Sequence, residues 1–454
     1  MTAAPSIFPM RQLNLLKTWI VDTLKRESVR QLAYIYASRV VTAAIGFIAS
    51  IIVADALGPA NLGLFTIASV IMGIAGSVIE LGLTTTMIRK LSYHLVQNDD
   101  ENAVGIFRRI YSFRLAISAG FMALAYFCAP VLAVRVYHSA TLITPLRLAG
   151  LGAFLFNVSY HTEAVLRAYE KFKQMAFINV VSSVARLVLL VVVWRAASLN
   201  VNNTMAINIA QTFIGFLIMS LVIPRKYYTR KQSTAYPLGE VLRYSGWLFA
   251  FSLLFMLFDR LDVLMLGYFK QSTEVGIYSV AFLLVRPIEM IPETLNVVLL
   301  PKVSKFTTKA QVFRYFRDTL KVTALVGVVC VLLVIFAKPI IETFYPKYTQ
   351  AVALFQILIG AFIFLTIINP INLVGHALNK PQLFTMMAGI NLVLNFTGNY
   401  IFIPPYGAVG AAVVTLVSRV LGGIISIFIL NHYLNRWEGD KALDDALAGG
   451  MKNE

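Results

Sequence analysis

Of the 454 residues, 58% are hydrophobic and only 13% are charged, and the mean hydropathy is +0.74. Soluble domains carry roughly 25% charged residues, so this composition excludes a water-soluble globule. The net charge of +17 is scattered in small clusters, which argues against a nucleic-acid-binding face, and the strand-length alternation of a membrane barrel is absent.

The first 30 residues carry Arg11, Lys17, Lys25, Arg26 and Arg30 and lack the apolar core and cleavage site of a secretory signal. Within them, "LNLLKTWIVDTL" at 13–24 suits an amphipathic helix lying on the inner membrane surface. A bilayer core about 30 Å thick then calls for about 20 apolar residues per helix. That ruler predicts an all-α polytopic membrane protein with twelve spans. They fall at 34–56, 62–86, 110–134, 144–166, 174–196, 203–224, 244–268, 275–300, 321–344, 350–377, 384–404 and 407–431.

Basic residues crowd before span 1 and in every second loop, as in Arg89, Lys90, Arg108, Arg109 and Arg114, or Lys302, Lys305, Lys309, Arg314, Arg317 and Lys321. The alternate loops hold few, among them Arg135, Lys270 and Lys347. The positive-inside rule then places both termini in the cytoplasm. The chain divides accordingly into an N-terminal segment (1–30), a first six-helix bundle (31–224), a linker (225–243), a second bundle (244–431) and a tail (432–454). The loops on the outer side are short, and no CxxC, HExxH, GxSxG or P-loop pattern occurs. No catalytic domain, bound cofactor or metal is expected. Cys128 and Cys330 read as inert core thiols, His161 and His376 as packed rather than metal-binding, and Asn391 and Asn395 as inter-helix hydrogen-bonding groups.

The chain repeats itself. "NLGLFTIA" at 61–68 pairs with "EVGIYSVA" at 274–281, "GAF" at 152–154 recurs at 360–362, and "INVV" at 178–181 returns as "INLV" at 390–393. The three matches keep their order at nearly one offset. Six spans per repeat give both halves the same orientation, which implies a two-fold pseudo-axis along the membrane normal and a central cavity between two bundles.

Charge inside the spans gathers on equivalent elements: Arg39 and Glu80 in spans 1 and 2, Asp259, Arg260 and Asp262 in span 7, and Arg286, Glu289 and Glu293 in span 8. Arg186 in span 5 and Arg419 in span 12 complete the set. A charge at a helix centre costs roughly 2.5–3.5 kcal/mol on insertion scales, so these side chains must face one another or water. Arg286, Glu289 and Glu293 share one helical face, and Pro287 and Pro292 bend the same span. The acids fit structural ion pairs as well as an ion-coupling role. Guanidinium groups from three further spans fit a ligand role better, because the planar fork suits phosphate oxygens.

The stretch "ALGPANLGLFTIASVIMGIAGSVIELGLTTTMIRKLS" at 56–92 resembles the first signature of bacterial polysaccharide flippases of the O-antigen type, a branch of the multidrug/oligosaccharidyl-lipid/polysaccharide exporter superfamily. "DRLDVLMLGYFKQSTEVGIYSVAFLL", "PETLNVVLLPKVS" and "NLVLNFTGNYIFIPPYGAVGAAVVT" agree, so the resemblance runs from about 31 to 431. It implies a fold of two six-helix bundles in the bacterial inner membrane, a cavity opening alternately to either side, and a lipid-diphosphate-linked oligosaccharide as cargo for surface polysaccharide. Arg39, Arg186, Arg260, Arg286 and Arg419 become the candidates for holding the anionic head. Glu80, Asp259, Asp262, Glu289 and Glu293 are the candidates for coupling to a sodium or proton gradient. The expected partners are the lipid-linked oligosaccharide, membrane lipids and the polysaccharide polymerase machinery, with no nucleic acid. Two other readings stand beside this one. A drug or cation antiporter would favour an acid-dominated cavity, and a membrane glycan polymerase or ligase would carry a long outer loop. A lipid II flippase commonly has two additional spans.

Overall fold

The computed structural model describes residues 27–80, 82–229, 238–303, 306, 308–377 and 382–436. The segment 13–24, residues 230–237 of the linker and most of the tail therefore lie outside the described residues. Those described are almost wholly helical, as hydrocarbon requires, because a helix satisfies its backbone donors and acceptors internally. In chain order the helices are α1 (Glu27–Glu80), α2 (Leu83–Val96), α3 (Asp100–Val131), α4 (Ile143–Ala168), α5 (Phe172–Arg195) and α6 (Val201–Val222). Then follow α7 (Leu238–Phe269), α8 (Ser272–Val303), α9 (Lys309–Ile335), the short α10 (Ala337–Phe344), α11 (Ala351–Ala377) and α12 (Gln382–Arg436).

Eight helices among the described residues are long and apolar enough to cross a membrane. Two of them, α1 and α12, each fold back on a single glycine: Gly58 (φ 67°) and Gly407 (φ 57°) take left-handed backbone that other residues adopt at a cost. Each therefore supplies two spans where hydropathy predicted separate helices. The helices α7 and α8, 32 residues each, carry the span 7 and span 8 charges.

Two boundaries differ from expectation. Span 2 stops at Glu80 rather than running to 86, because Gly82 turns left-handed (φ 67°). The Glu80 carboxylate accepts from Gly82 N at 3.0 Å and Thr84 N at 2.8 Å, supplying the first turn of α2 with the acceptors a new helix lacks. Span 3 begins its helix at Asp100, capped by Asp99, so Arg114 lies well inside α3 and is 1% exposed. It is a buried cation, not a loop charge. Cys128 also departs from the core reading: it is exposed on an outward face of α3, whereas Cys330 is buried.

We call the side bearing the start of α1, the end of α12 and most of the described Lys and Arg the basic end, and the other the far end. One apolar core runs through both halves at the far end, joining Ala49, Leu57, Ile67, Leu266, Tyr278 and Phe355. Toward the basic end the halves keep separate cores, one around Met87, Phe107 and Tyr227, the other around Val312, Tyr315 and Val374. The halves are thus fused by packing at one end and divide toward the other.

The far-end fusion carries the sequence repeat in its geometry. A Cβ on Gly63 would collide with the carbonyl oxygen of Ser272, and one on Gly276 with that of Pro59. Gly276 and Ser272 stand at the repeat offset of Gly63 and Pro59, so the two contacts are one contact applied twice. That is the relation a two-fold axis along the membrane normal produces. Alongside it, Lys347 pairs with Asp55 at 2.9 Å, Tyr348 donates to the Ala54 carbonyl at 2.8 Å, and the Tyr345 hydroxyl meets Ser50 at 2.7 Å.

These contacts predict the effect of adding bulk at the seam. Gly63→Val should hold the far end open, raising the rate at which a cysteine at Ser279 reacts with a membrane-impermeant maleimide added from that side. An unchanged labelling rate in an inserted Gly63→Val protein would contradict the closure described.

Candidate functional site

Between the halves lies a cavity of about 430 Å³. One wall is a stripe of α1 (Ala43, Gly46, Phe47, Ser50, Ala54) at helical spacing, and the opposite wall is α8 (Ser279, Leu283, Arg286, Pro287). Arg186 enters from α5 and Tyr345 covers the far end. Two of the predicted arginines, one from each half, therefore face the same space, and no Asp or Glu lines it among the described residues. Arg286 is exposed and has no ion-pair acid among the described residues. The Arg186 Nε is enclosed and lacks a hydrogen-bond acceptor. Arg39 is exposed one turn below Ala43 on the same stripe of α1, so it extends the cavity wall toward the basic end without lining the cavity itself.

The other predicted residues lie elsewhere. Arg260 pairs with its neighbour Asp259, Nε to Oδ2 at 3.1 Å, and sits within electrostatic reach of Arg286 and Glu289. Arg419 does not reach the cavity. It is 8% exposed within the C-terminal half, its guanidinium 4.2 Å from the centre of the Phe362 ring and in the field of Glu289, Asp259 and Asp262. Its position follows from the bend at Gly407, which turns the last span's polar stripe inward beside α7 and α8. Glu80 caps α2. The side chain of Glu293 lies outside those described, as does that of His376.

Asp262 forms the most complete polar node. It is 5% exposed and accepts from Tyr278 Oη (2.8 Å) and Thr415 Oγ1 (2.5 Å) on one oxygen and from Asn399 Nδ2 (2.7 Å) on the other. Asn399 also donates to Asn395 Oδ1 at 2.9 Å, while its own carboxamide oxygen is buried with no donor. Four helical spans thus converge on one carboxylate. Composition had flagged Asp262 but not these partners. The spacing of Asn395 to Asn399 and of Thr415 to Arg419, each i to i+4, was the available signal that two polar faces point inward.

A second buried node occupies the N-terminal half. Arg114 donates to the Asn157 carbonyl (3.2 Å) and Thr84 Oγ1 (3.1 Å) and stands 4.0 Å from Glu80. Asn157 in turn donates to the carbonyls of Gly76 and Ala153, both at 3.0 Å. His161 is fully buried between Phe107 and Tyr111, and neither ring nitrogen has a partner, which agrees with a packed histidine.

The sequence profile of a family described as "Polysaccharide biosynthesis protein" matches residues 52–353. "Probable flippase AglR" of Haloferax volcanii is 25% identical over 203 residues, covering 43% of this chain and 42% of that protein. The match thus spans about two fifths of that relative's length. Among solved structures, "Lipid II flippase MurJ, inward closed conformation" superposes with a TM-score of 0.72 at 14% identity over 87% of each chain. An "Inward-facing conformation of a multidrug resistance MATE family transporter" gives 0.66 at 14% identity, over 86% of this chain and 95% of that one. These likenesses extend to the fold.

The two kinds of arginine should behave differently when truncated. Arg114→Ala takes a donor from a buried carbonyl and a hydroxyl and removes the cation beside Glu80, a loss of about 3 kcal/mol, and should lower the melting temperature of the purified protein. Arg186→Ala strands no partner and should leave melting nearly unchanged. Equal destabilisation by both in a fluorescence melt would contradict the distinction.

Proposed function

The chain belongs to the polysaccharide biosynthesis protein family, and from that premise we propose that it is an alternating-access flippase for a polyprenyl-diphosphate-linked oligosaccharide. The observation that carries the reading is the pairing of Arg186 and Arg286 across a cavity lined by no described acid. Two cations from opposite halves, in walls otherwise uncharged, suit a dianionic head carried on a lipid. Guanidinium groups bind phosphate oxygens through paired hydrogen bonds, and low local dielectric strengthens the contact. Arg39 at the basic-end mouth extends the same positive track. An antiporter for cationic drugs would want the opposite charge in that cavity.

The basic loops support cytoplasmic termini in an inner membrane, so the separate cores of the basic end face the side on which lipid-linked glycans are assembled. Cargo would enter there, and separation of the seam at Gly63 and Gly276 would release it outward, toward the polymerase that extends it. The O-antigen or exopolysaccharide role rests on the sequence signatures quoted above.

Coupling to a sodium or proton gradient is assigned to Asp262. It is the carboxylate of the candidate set that several helices hold simultaneously, and Asn399 leaves an uncommitted oxygen beside it. A cation or proton arriving there would compete with Tyr278, Thr415 and Asn399 for the carboxylate and loosen the contact between spans.

Purified protein in proteoliposomes with a defined polyprenyl-diphosphate glycan tests both assignments. Arg286→Ala should lower transport about tenfold or more, the cost of a charged hydrogen bond of roughly 1.5–3 kcal/mol, while Arg286→Lys keeps part of the activity. Asp262→Asn should still equilibrate cargo but lose its response to an imposed ion gradient. Full transport by Arg186→Ala and Arg286→Ala, singly and together, would refute the anion site.

A further inference from the structure

The two halves differ at one pair of equivalent places. In the N-terminal half, α3, α4 and α6 bound a recess at the basic end that includes Phe107, Tyr111, Thr162 and Ser220 and has no charged residue in its wall. The chain leaving α6 packs into its base. Tyr227 is 1% exposed, its ring 4.9 Å from that of Phe107, its carbonyl accepting from Arg108 Nε at 3.0 Å and its hydroxyl 2.9 Å from that of Tyr169.

The equivalent place in the C-terminal half lies between α9, α11 and α12, where Ile427 and Asn431 stand in for Phe216 and Ser220 at the repeat offset. Here there is a groove of about 520 Å³. Phe313, Leu320 and Phe428 on its walls are 66%, 60% and 72% exposed, so it opens to the hydrocarbon rather than to the central cavity. It shares no lining residue with that cavity, and α11 packs against α8 on one side and α12 on the other, standing between the two spaces. Two cations line the groove, Lys309, whose Nζ also donates to the Asn435 carbonyl at 3.4 Å, and, two turns further along α9, Arg317. The acid beside Arg317, Asp318, is engaged by Lys321 at 3.9 Å, and Arg317 itself has no ion-pair acid among the described residues.

We infer that this groove binds a bilayer phospholipid with an anionic headgroup. An acyl chain lies along Phe313, Ile371 and Phe428, and the phosphate sits at Lys309 and Arg317. Exposed Phe313, Leu320 and Phe428 open the groove to hydrocarbon and favour an acyl chain over a water-soluble ligand, and the cations select an anionic head over a zwitterionic one. Each Lys or Arg near an anionic lipid surface is worth roughly 1 kcal/mol, or about fivefold in occupancy. The site is independent of the cargo assignment, because it lies on the membrane-facing flank of one half.

The test is lipid retention. Full-length protein is equilibrated in nanodiscs of mixed phosphatidylglycerol and phosphatidylethanolamine, extracted into mild detergent, and its retained lipid counted by native mass spectrometry. Wild type should retain phosphatidylglycerol in preference. Arg317→Gln should lower that retention about fivefold, and Ile371→Trp, which fills the groove, should lower retention of both lipids. Equal retention of the two lipids, or retention untouched by both variants, would overturn the proposal. So would a preference that appears only when residues 437–454 are deleted, which would give the groove to that segment, or displacement of the bound lipid by added polyprenyl phosphate, which would give it to the cargo's tail.

Discussion

The arrangement depends on the close approach of α1 and α8 at Gly63 and Gly276. Lipid gives helices no hydrophobic reason to associate, so backbone contact at small residues supplies the packing that brings two spans together. Here the same contact occurs twice, each glycine against the backbone of the other half, and it sets the distance between bundles at the far end. Everything inward of it follows. The helices diverge, the cores separate, and the space left between α1 and α8 becomes the cavity that Arg186 and Arg286 line.

Charge is then sorted by enclosure. Arg114 and Asp262 are consumed by partners on neighbouring helices, and Arg260 by Asp259, whereas Arg186 and Arg286 retain donors aimed at the cavity. A cation bonded to neighbouring helices holds them together even where one nitrogen, as in Arg114 Nε, keeps no acceptor. One that lines an open cavity is placed for a ligand, whereas Arg419, whose Nε and Nη1 also lack acceptors, is enclosed away from it, so position as well as partners separates residues that composition treats alike.

Much of this was legible in the sequence. Hydropathy located the spans because burial in hydrocarbon demands long apolar runs, and the repeat foretold the axis on which Gly63 and Gly276 meet. The single-glycine turns at Gly58 and Gly407 were not legible, since a glycine in an apolar run carries no mark of its backbone angle. Arg114 misled because it lies only four residues inside the predicted span 3 and beside Arg108 and Arg109, so it was counted with the basic loop, whereas the helix starts at Asp100 and buries it. Arg419 belonged to the predicted set by its burial, but which face of the last span points at the cavity depends on the turn before it. The partners of Asp262 come from spans far apart in sequence, so only the packed bundle reveals them together.

In the proposed function the cavity holds a lipid-borne diphosphate through Arg186 and Arg286. Native mass spectrometry of the purified protein titrated with polyprenyl diphosphate and with the corresponding neutral polyprenol tests it directly. The diphosphate should bind in preference, and the Arg186→Ala, Arg286→Ala double variant should lose that preference while remaining folded. Equal binding of the charged and neutral lipids by the wild-type protein would contradict it.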